Sequence, residues 1–128
     1  VRSEDLSRHR MHAEHFDIPE ATAAAVARAR ARARHVVAVG TTVVRALESA
    51  YREGVGVVAG EGETRLFIRP PYTFKVVDAL FTNFHLPRST LLMLVAAFLG
   101  RERTLEAYRL AVAECYRFYS LGDAMLIL

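Results

Sequence analysis

The sequence has no tryptophan, a single cysteine (Cys115) and, among 17 Lys plus Arg residues, a single lysine, Lys75. One cysteine excludes an intrachain disulfide, a CxxC redox pair and a thiolate-rich zinc site. No long hydrophobic run is present: the longest, Leu91 to Leu99, is far short of the about 20 residues that span a bilayer. The opening Val1-Arg-Ser-Glu-Asp5 is charged where a secretory signal needs an apolar stretch. A reducing, cytoplasmic setting without a membrane partner is therefore expected. Low-complexity linkers and internal repeats are also missing. With 52% hydrophobic and 24% charged residues, a disordered chain is excluded. The 128 residues suit one domain with its own core. Net charge is +3, from 17 basic and 14 acidic residues, which is compatible with a polyanionic partner without specifying one. The absence of an initiator Met and the apolar ending Ala124 to Leu128 give the expectation of a chain cut at both ends, a portion of a larger protein.

What is there alternates between strand and helix patterns. Met11 to Phe16 alternates weakly and suits a short strand. Asp17-Ile-Pro-Glu20 reads as a helix start with a capping box, and Ala21 to Arg34 as the helix. His35 to Gly40 is a compact β-branched run closed by glycine, which predicts a buried strand. Thr41 or Thr42 then caps a helix to about Glu53, with Val44, Leu47 and Tyr51 facing inward. Gly54 to Gly62 reads as a loop, Leu66 to Ile68 as a short strand and Lys75 to Phe84 as a long one. Ser89 caps an apolar helix that Gly100 ends. Thr104 starts a last helix with Leu105, Tyr108, Val112 and Cys115 on one face, and Ala124 to Leu128 forms a terminal strand. This order predicts an α/β domain over residues 1–128, with helices flanking a mainly parallel sheet. In such sheets ligands bind beyond the strands' carboxyl ends. Gly40-Thr41-Thr42, Thr82-Asn83-Phe84-His85 and Ser120-Leu-Gly122-Asp123 all fall next to strand termini.

Several clusters are able to carry chemistry. His9, His12, Glu14 and His15 can act as proton carriers or, less specifically, as metal ligands; the competing reading is a polar surface segment. Val39-Gly40-Thr41-Thr42 followed by Arg45 places a glycine turn, free amides and a guanidinium at a helix N-terminus. That suits an anionic group, or else only a cap and an Arg45–Glu48 surface pair. Asp78 interrupts an apolar strand, and a buried carboxylate there needs a partner. Tyr116-Arg117-Phe118-Tyr119 interleaves aromatics with charge, a pattern for stacking on bases or for filling a core. Arg28, Arg30, Arg32 and Arg34 form a basic ladder, a candidate nucleic-acid patch that helical geometry divides between two faces; the competing reading is a solvated arginine face.

Four of these segments, in this order, resemble the S-adenosylmethionine:tRNA ribosyltransferase-isomerase family of queuosine biosynthesis. The resemblance rests on His9-x-Met11-His12-x-Glu14 and on Val39-Gly-Thr-Thr-x-x-Arg45-x-Leu-Glu-Ser49. It continues in Lys75-Val-Val-Asp-Ala-Leu-x-Thr-Asn-Phe-His-Leu-Pro87 with Ser89-Thr90, and in Tyr116-Arg-Phe-x-Ser-x-Gly-Asp-Ala-Met125. It runs from about His9 to the end and implies an α/β domain into which, in the longer family protein, an all-β barrel is inserted. The barrel and the N-terminal part of the α/β domain are not matched here. The implied reaction transfers the ribosyl part of S-adenosylmethionine to a 7-aminomethyl-7-deazaguanine at the tRNA wobble position. Rearrangement then gives epoxyqueuosine, with release of adenine and methionine. S-adenosylmethionine is thus a co-substrate, tRNA is the partner, and neither a prosthetic group nor a metal is needed.

Within that scheme the chemistry is expected on His85 with Asn83, backed by His12 and Glu14. Imidazole titrates near neutrality, and an amide donates to a developing oxyanion without titrating. Gly40, Thr41, Thr42, Arg45, Lys75, Asp78, Thr82, Arg117, Ser120, Gly122 and Asp123 are expected to bind substrate. Two rival readings remain: a non-catalytic nucleotide-binding or interaction domain derived from such an enzyme, and a small metal-dependent hydrolase built on His12 and Glu14.

Overall fold

The computed structural model describes residues 13–85, 89–118 and 122–128. Strand β1 (Glu14–Ile18) leads into helix α1 (Glu20–Ala31), then β2 (Val37–Val39) and α2 (Thr41–Ala50). Short strands β3 (Tyr51–Arg52), β4 (Gly56–Val57) and β5 (Gly60–Thr64) follow. The chain then runs to β6 (Ala79–Asn83), α3 (Thr90–Leu99), α4 (Arg101–Ala113) and β7 (Ala124–Ile127).

The sheets are small and mixed. The order β2-β6-β7 makes one three-stranded sheet, while β1 pairs with β5 and β3 with β4. Only β2 and β6 run parallel among the described pairs; β6–β7, β1–β5 and β3–β4 are antiparallel. The predominance of parallel pairing expected from the helix–strand alternation is therefore not seen here. Side-chain alternation along β2, β6 and β7 gives the larger sheet two unlike faces. Ala38, Leu80 and Ile127 are buried in the core with Val44 and Leu47 of α2. Burial of a side chain such as Leu80 contributes about 1.5–3 kcal/mol. On the opposite face, Val39, Phe81 and Leu126 lie side by side in register and are exposed, Val39 at 66% and Phe81 at 45%.

Helix α3 follows the sequence reading closely. Ser89 Oγ accepts the Leu92 N–H at 3.1 Å, and Gly100 ends the helix. Helix α2 starts one residue from expectation for a physical reason: Gly40 occupies the cap with φ 95°, which L side chains rarely adopt, and donates its N–H to the Phe81 carbonyl. The capping box at α1 is not formed; Pro19 takes the cap position without a side-chain hydrogen bond, and the helix stops at Ala31 rather than Arg34. Helix α4 begins at Arg101, ahead of the expected Thr104, and Cys115 lies beyond its end.

One expected strand, Leu66 to Ile68, is not formed, and the long strand expected over Lys75 to Phe84 is confined to Ala79–Asn83. Leu66 to Ile68 and Lys75 to Asp78 are irregular, because side chains take the place of a neighbouring strand. The Leu66 N–H donates to Thr64 Oγ1 and its carbonyl accepts from Arg45 Nε. The amides of Lys75, Val76 and Val77 donate to the Glu48 carboxylate at 2.9, 2.8 and 3.1 Å. Conversely, the Gly54–Gly62 region read as loop contains β4 and the start of β5. A Cβ on Gly62 would meet the Phe16 ring at 2.7 Å, so the missing side chain makes room for a cross-strand aromatic.

Candidate functional site

One end of the β2-β6-β7 sheet collects most of the sequence-predicted polar residues. Because β2 and β6 are parallel, Gly40-Thr41-Thr42 and Asn83-Phe84-His85 emerge at the same end. Because β7 is antiparallel to β6, with Asn83 opposite Ala124, Gly122 and Asp123 enter β7 there too. Thr41 and Thr82 are buried, Thr42 and Asn83 are exposed, and His85 is half-buried.

His85 is held from two directions. Its Nε2 lies 3.0 Å from Thr82 Oγ1, and its backbone N–H donates to the Tyr108 hydroxyl at 2.9 Å. Burial lowers the imidazole pKa from its ordinary value, favouring the neutral ring. Burial likewise raises the Tyr108 phenol, against the opposing pull of the His85 amide. Below His85, Phe84 packs edge-on to Tyr108 and Tyr116 at centroid distances of 5.5 and 5.7 Å and lies 5.3 Å from Phe118. The aromatics of the Tyr116–Phe118 segment thus tie the segment following α4 to the end of β6. Asp123 accepts the Arg117 N–H at 2.6 Å, and the Arg117 side chain passes 3.5 Å from where a Gly122 Cβ would sit.

A second group surrounds α2. Arg45 is 2% exposed and forms an ion pair with Glu14 through Nη1 and a hydrogen bond to the Leu66 carbonyl through Nε at 3.0 Å. Its Nη2 is buried without a hydrogen-bond partner among the described residues. Burial lowers the guanidinium pKa. Glu48, 6% exposed, is not the surface partner of Arg45: it accepts the Tyr72 hydroxyl at 3.0 Å together with the three backbone amides of residues 75–77. Burial first, then the Glu48 charge and hydrogen bond, push the Tyr72 phenol far above its usual range.

The structure thus joins Gly40, Thr41, Thr42, Thr82, Asn83, His85, Gly122 and Asp123 at one sheet end, with Arg117 bound to Asp123. Glu14 meets Arg45 rather than His85. Lys75 and Asp78 precede β6, at its other end; Lys75 stands over the Tyr72 ring at 5.6 Å. Asp78 is exposed and accepts the Val36 N–H at 2.7 Å, so it is not the buried carboxylate that an apolar strand implied. His12 and Ser120 lie outside the described residues, and no group of metal-ligating side chains occurs among those described. Sequence reasoning missed Glu48 and Tyr108. The helical period held the signal for Glu48: Thr41, Val44, Arg45 and Glu48 share the buried side of α2.

The profile of a family described as "Queuosine biosynthesis protein" matches residues 1–127. A Thermus thermophilus protein named S-adenosylmethionine:tRNA ribosyltransferase-isomerase is 87% identical over 124 residues, 97% of this chain and 36% of its own length. A Pelotomaculum thermopropionicum protein of that name is 60% identical over 100% of this chain and 38% of its own length. The crystal structure of S-adenosylmethionine tRNA ribosyltransferase from Thermotoga maritima superposes with a TM-score of 0.83 at 55% identity, covering 89% of this chain and 40% of that one. The chain therefore spans a little over a third of the length of these curated relatives. Across nearly all of its own length, with the sheet end and the buried α2 pairings included, the chain belongs to the queuosine biosynthesis protein family.

Proposed function

We propose that the intact protein is a tRNA ribosyltransferase-isomerase acting in the cytoplasm, with S-adenosylmethionine as co-substrate and no prosthetic group. In this reading residues 1–128 form part of its α/β domain. The observation that carries the reading is the convergence of Gly40-Thr41, Thr82-Asn83-His85 and Gly122-Asp123 on one sheet end, in a chain whose relatives bear that enzyme's name. No helix among the described residues is long and apolar enough to cross a membrane. The bare face bearing Val39, Phe81 and Leu126 is the surface on which the remainder of the enzyme packs.

In this reading His85 moves the protons. Its neutral form, favoured by burial, is the form able to accept one. With hydrogen on Nε2 the ring donates to Thr82 Oγ1, and the Nδ1 lone pair is left to remove a proton from the 5′ carbon beside the sulfonium. The resulting imidazolium can return that proton to departing adenine. Asn83, exposed beside it, donates to oxygen as negative charge develops. Attack of the substrate's amine, ring closure and epoxide formation with loss of methionine complete the conversion to epoxyqueuosine. Arg45 Nη2, buried without a partner, and the α2 amino end form a receptor for the methionine carboxylate.

The test uses the intact protein, S-adenosylmethionine and tRNA carrying 7-aminomethyl-7-deazaguanine. Equimolar adenine and methionine, with epoxyqueuosine in the digested tRNA, is the expected result. Binding of both substrates without product would instead support the non-catalytic reading.

A further inference from the structure

The basic ladder at the end of α1 is arranged differently from an ordinary solvated helix face. The helix ends at Ala31, and Ala33 turns the chain with φ 53°. Arg34 therefore leaves the helical spiral, while Arg32, whose N–H still donates to the Arg28 carbonyl, caps it. Arg30, Arg34 and His35 then line one hollow of about 250 Å³ together with Ala33 and Asp78. Arg28 and Arg32 are exposed but are not part of that lining. None of the four arginines has an ion-pair partner among the described residues, and Arg30 reaches only the Val76 carbonyl at 3.5 Å. Asp78 is the acidic group lining the hollow, and its Oδ2 is already engaged by the Val36 N–H.

A helix C-terminus normally repels anions through its free carbonyls. Here those carbonyls are covered. The Arg28, Ala29 and Arg30 carbonyls accept from Arg32, Arg34 and Ala33 at 3.1, 2.8 and 3.1 Å. What faces solvent is a concave cluster of guanidinium groups, which hydrogen-bond phosphate oxygens in fork geometry. The cluster also has a fixed relation to the candidate site. It precedes β2, while Gly40 follows it, so His35 and Gly40 lie five residues apart along an extended segment, about 16 Å at 3.3 Å per residue.

We propose that the turn after α1, with Arg30, Arg34 and His35, is a docking surface for the phosphodiester backbone of the substrate tRNA. This rests on the tRNA-modifying reading above and adds to it the surface that positions the RNA. Such contacts fix register without reading sequence, and they release counterions, so they are visible in salt dependence.

The experiment measures tRNA affinity of the intact protein against salt concentration, for wild type, Arg30→Gln/Arg34→Gln and Arg30→Lys/Arg34→Lys. Both side chains are exposed, so the fold should be unaffected, as a matching melting temperature would verify. The Gln variant should bind about tenfold more weakly at low salt, with a log–log slope shallower by about 1.4–1.8. The Lys variant should keep most of the slope. S-adenosylmethionine affinity and turnover at saturating tRNA should stay at wild-type values. An unchanged slope and affinity in the Gln variant would overturn the proposal. If the wild type binds tRNA but forms no product, the enzymatic reading fails while the salt slopes still decide the docking surface. If the wild type binds no tRNA, both fail.

Discussion

The stretch from Thr64 to Val77 and the sheet end around Asn83 and His85 manage their polar groups in opposite ways. In the first, charged and hydroxyl side chains do the work of a neighbouring strand. Glu48 gathers three backbone amides and a phenol, Arg45 meets Leu66 and Glu14, and Thr64 receives the Leu66 amide. In the second, the β2–β6–β7 ladder satisfies the backbone as far as Asn83, and the Tyr108 hydroxyl accepts the His85 N–H. The side chains keep spare capacity: Asn83 is exposed, and His85 has a single ring partner. Saturated polar groups fix a conformation, whereas unsaturated ones are available to a ligand. On the proposed function, the contrast separates residues of the same sequence motifs into architecture and chemistry.

The strongest way to break that contrast is Glu48→Ala. Each stranded buried donor costs about 1–3 kcal/mol, and Glu48 serves four. Denaturant unfolding of the intact protein should show a loss of about 4 kcal/mol or more, or no soluble protein at all. A loss below about 1 kcal/mol would mean the amides find other acceptors.

Arg45 straddles the two regimes, since two of its nitrogens are engaged and Nη2 is not. Arg45→Ala should weaken S-adenosylmethionine binding by about 1–3 kcal/mol in calorimetry, in addition to destabilising the fold by stranding the Leu66 carbonyl. Reduced stability with unchanged affinity in the folded fraction would place Arg45 wholly on the architectural side.

The smallest effect is the pH dependence of stability. Burial depresses the His85 pKa, so the unfolded chain takes up a proton at higher pH than the folded one. The contribution of His85 is full above its ordinary pKa of about 6.5 and is lost as pH falls through the folded value. Comparing melting temperatures between neutral and acidic buffers, His85→Gln should flatten this decline. An identical pH profile would show that the imidazole does not sense its burial.

The same contrast explains what could be read in the sequence. Where backbone partners backbone, local pattern was enough. The β2–Gly40–α2 unit, the Ser89-capped α3 ending at Gly100 and the terminal β7 follow from β-branched runs, capping residues and glycine. So does the emergence of Gly40, Asn83 and His85 at one sheet end, which needs only the parallel pairing of β2 and β6; Asp123 joins them because β7 runs antiparallel, which the expected parallel sheet did not provide. Where side chains partner backbone, pattern misled. Leu66 to Ile68 and Lys75 to Asp78 look like strands because their apolar residues are buried, Ile68, Val76 and Val77 among them. Their hydrogen bonds, however, go to side chains 21–29 positions away in the chain, the Leu66 amide excepted, which donates to Thr64 Oγ1. An Arg45–Glu48 pair at helical spacing suggested a surface salt bridge. The buried side of α2 instead turns both inward, toward different partners.

The claim that the sheet end carries the chemistry is tested most directly by His85→Gln in the intact protein. Glutamine keeps a hydrogen-bonding side chain near Thr82 but cannot shuttle a proton. Single-turnover formation of epoxyqueuosine should fall by about 10²–10⁴, with melting temperature and affinities for tRNA and S-adenosylmethionine retained. Near-normal turnover, or activity lost only through unfolding, would contradict the account.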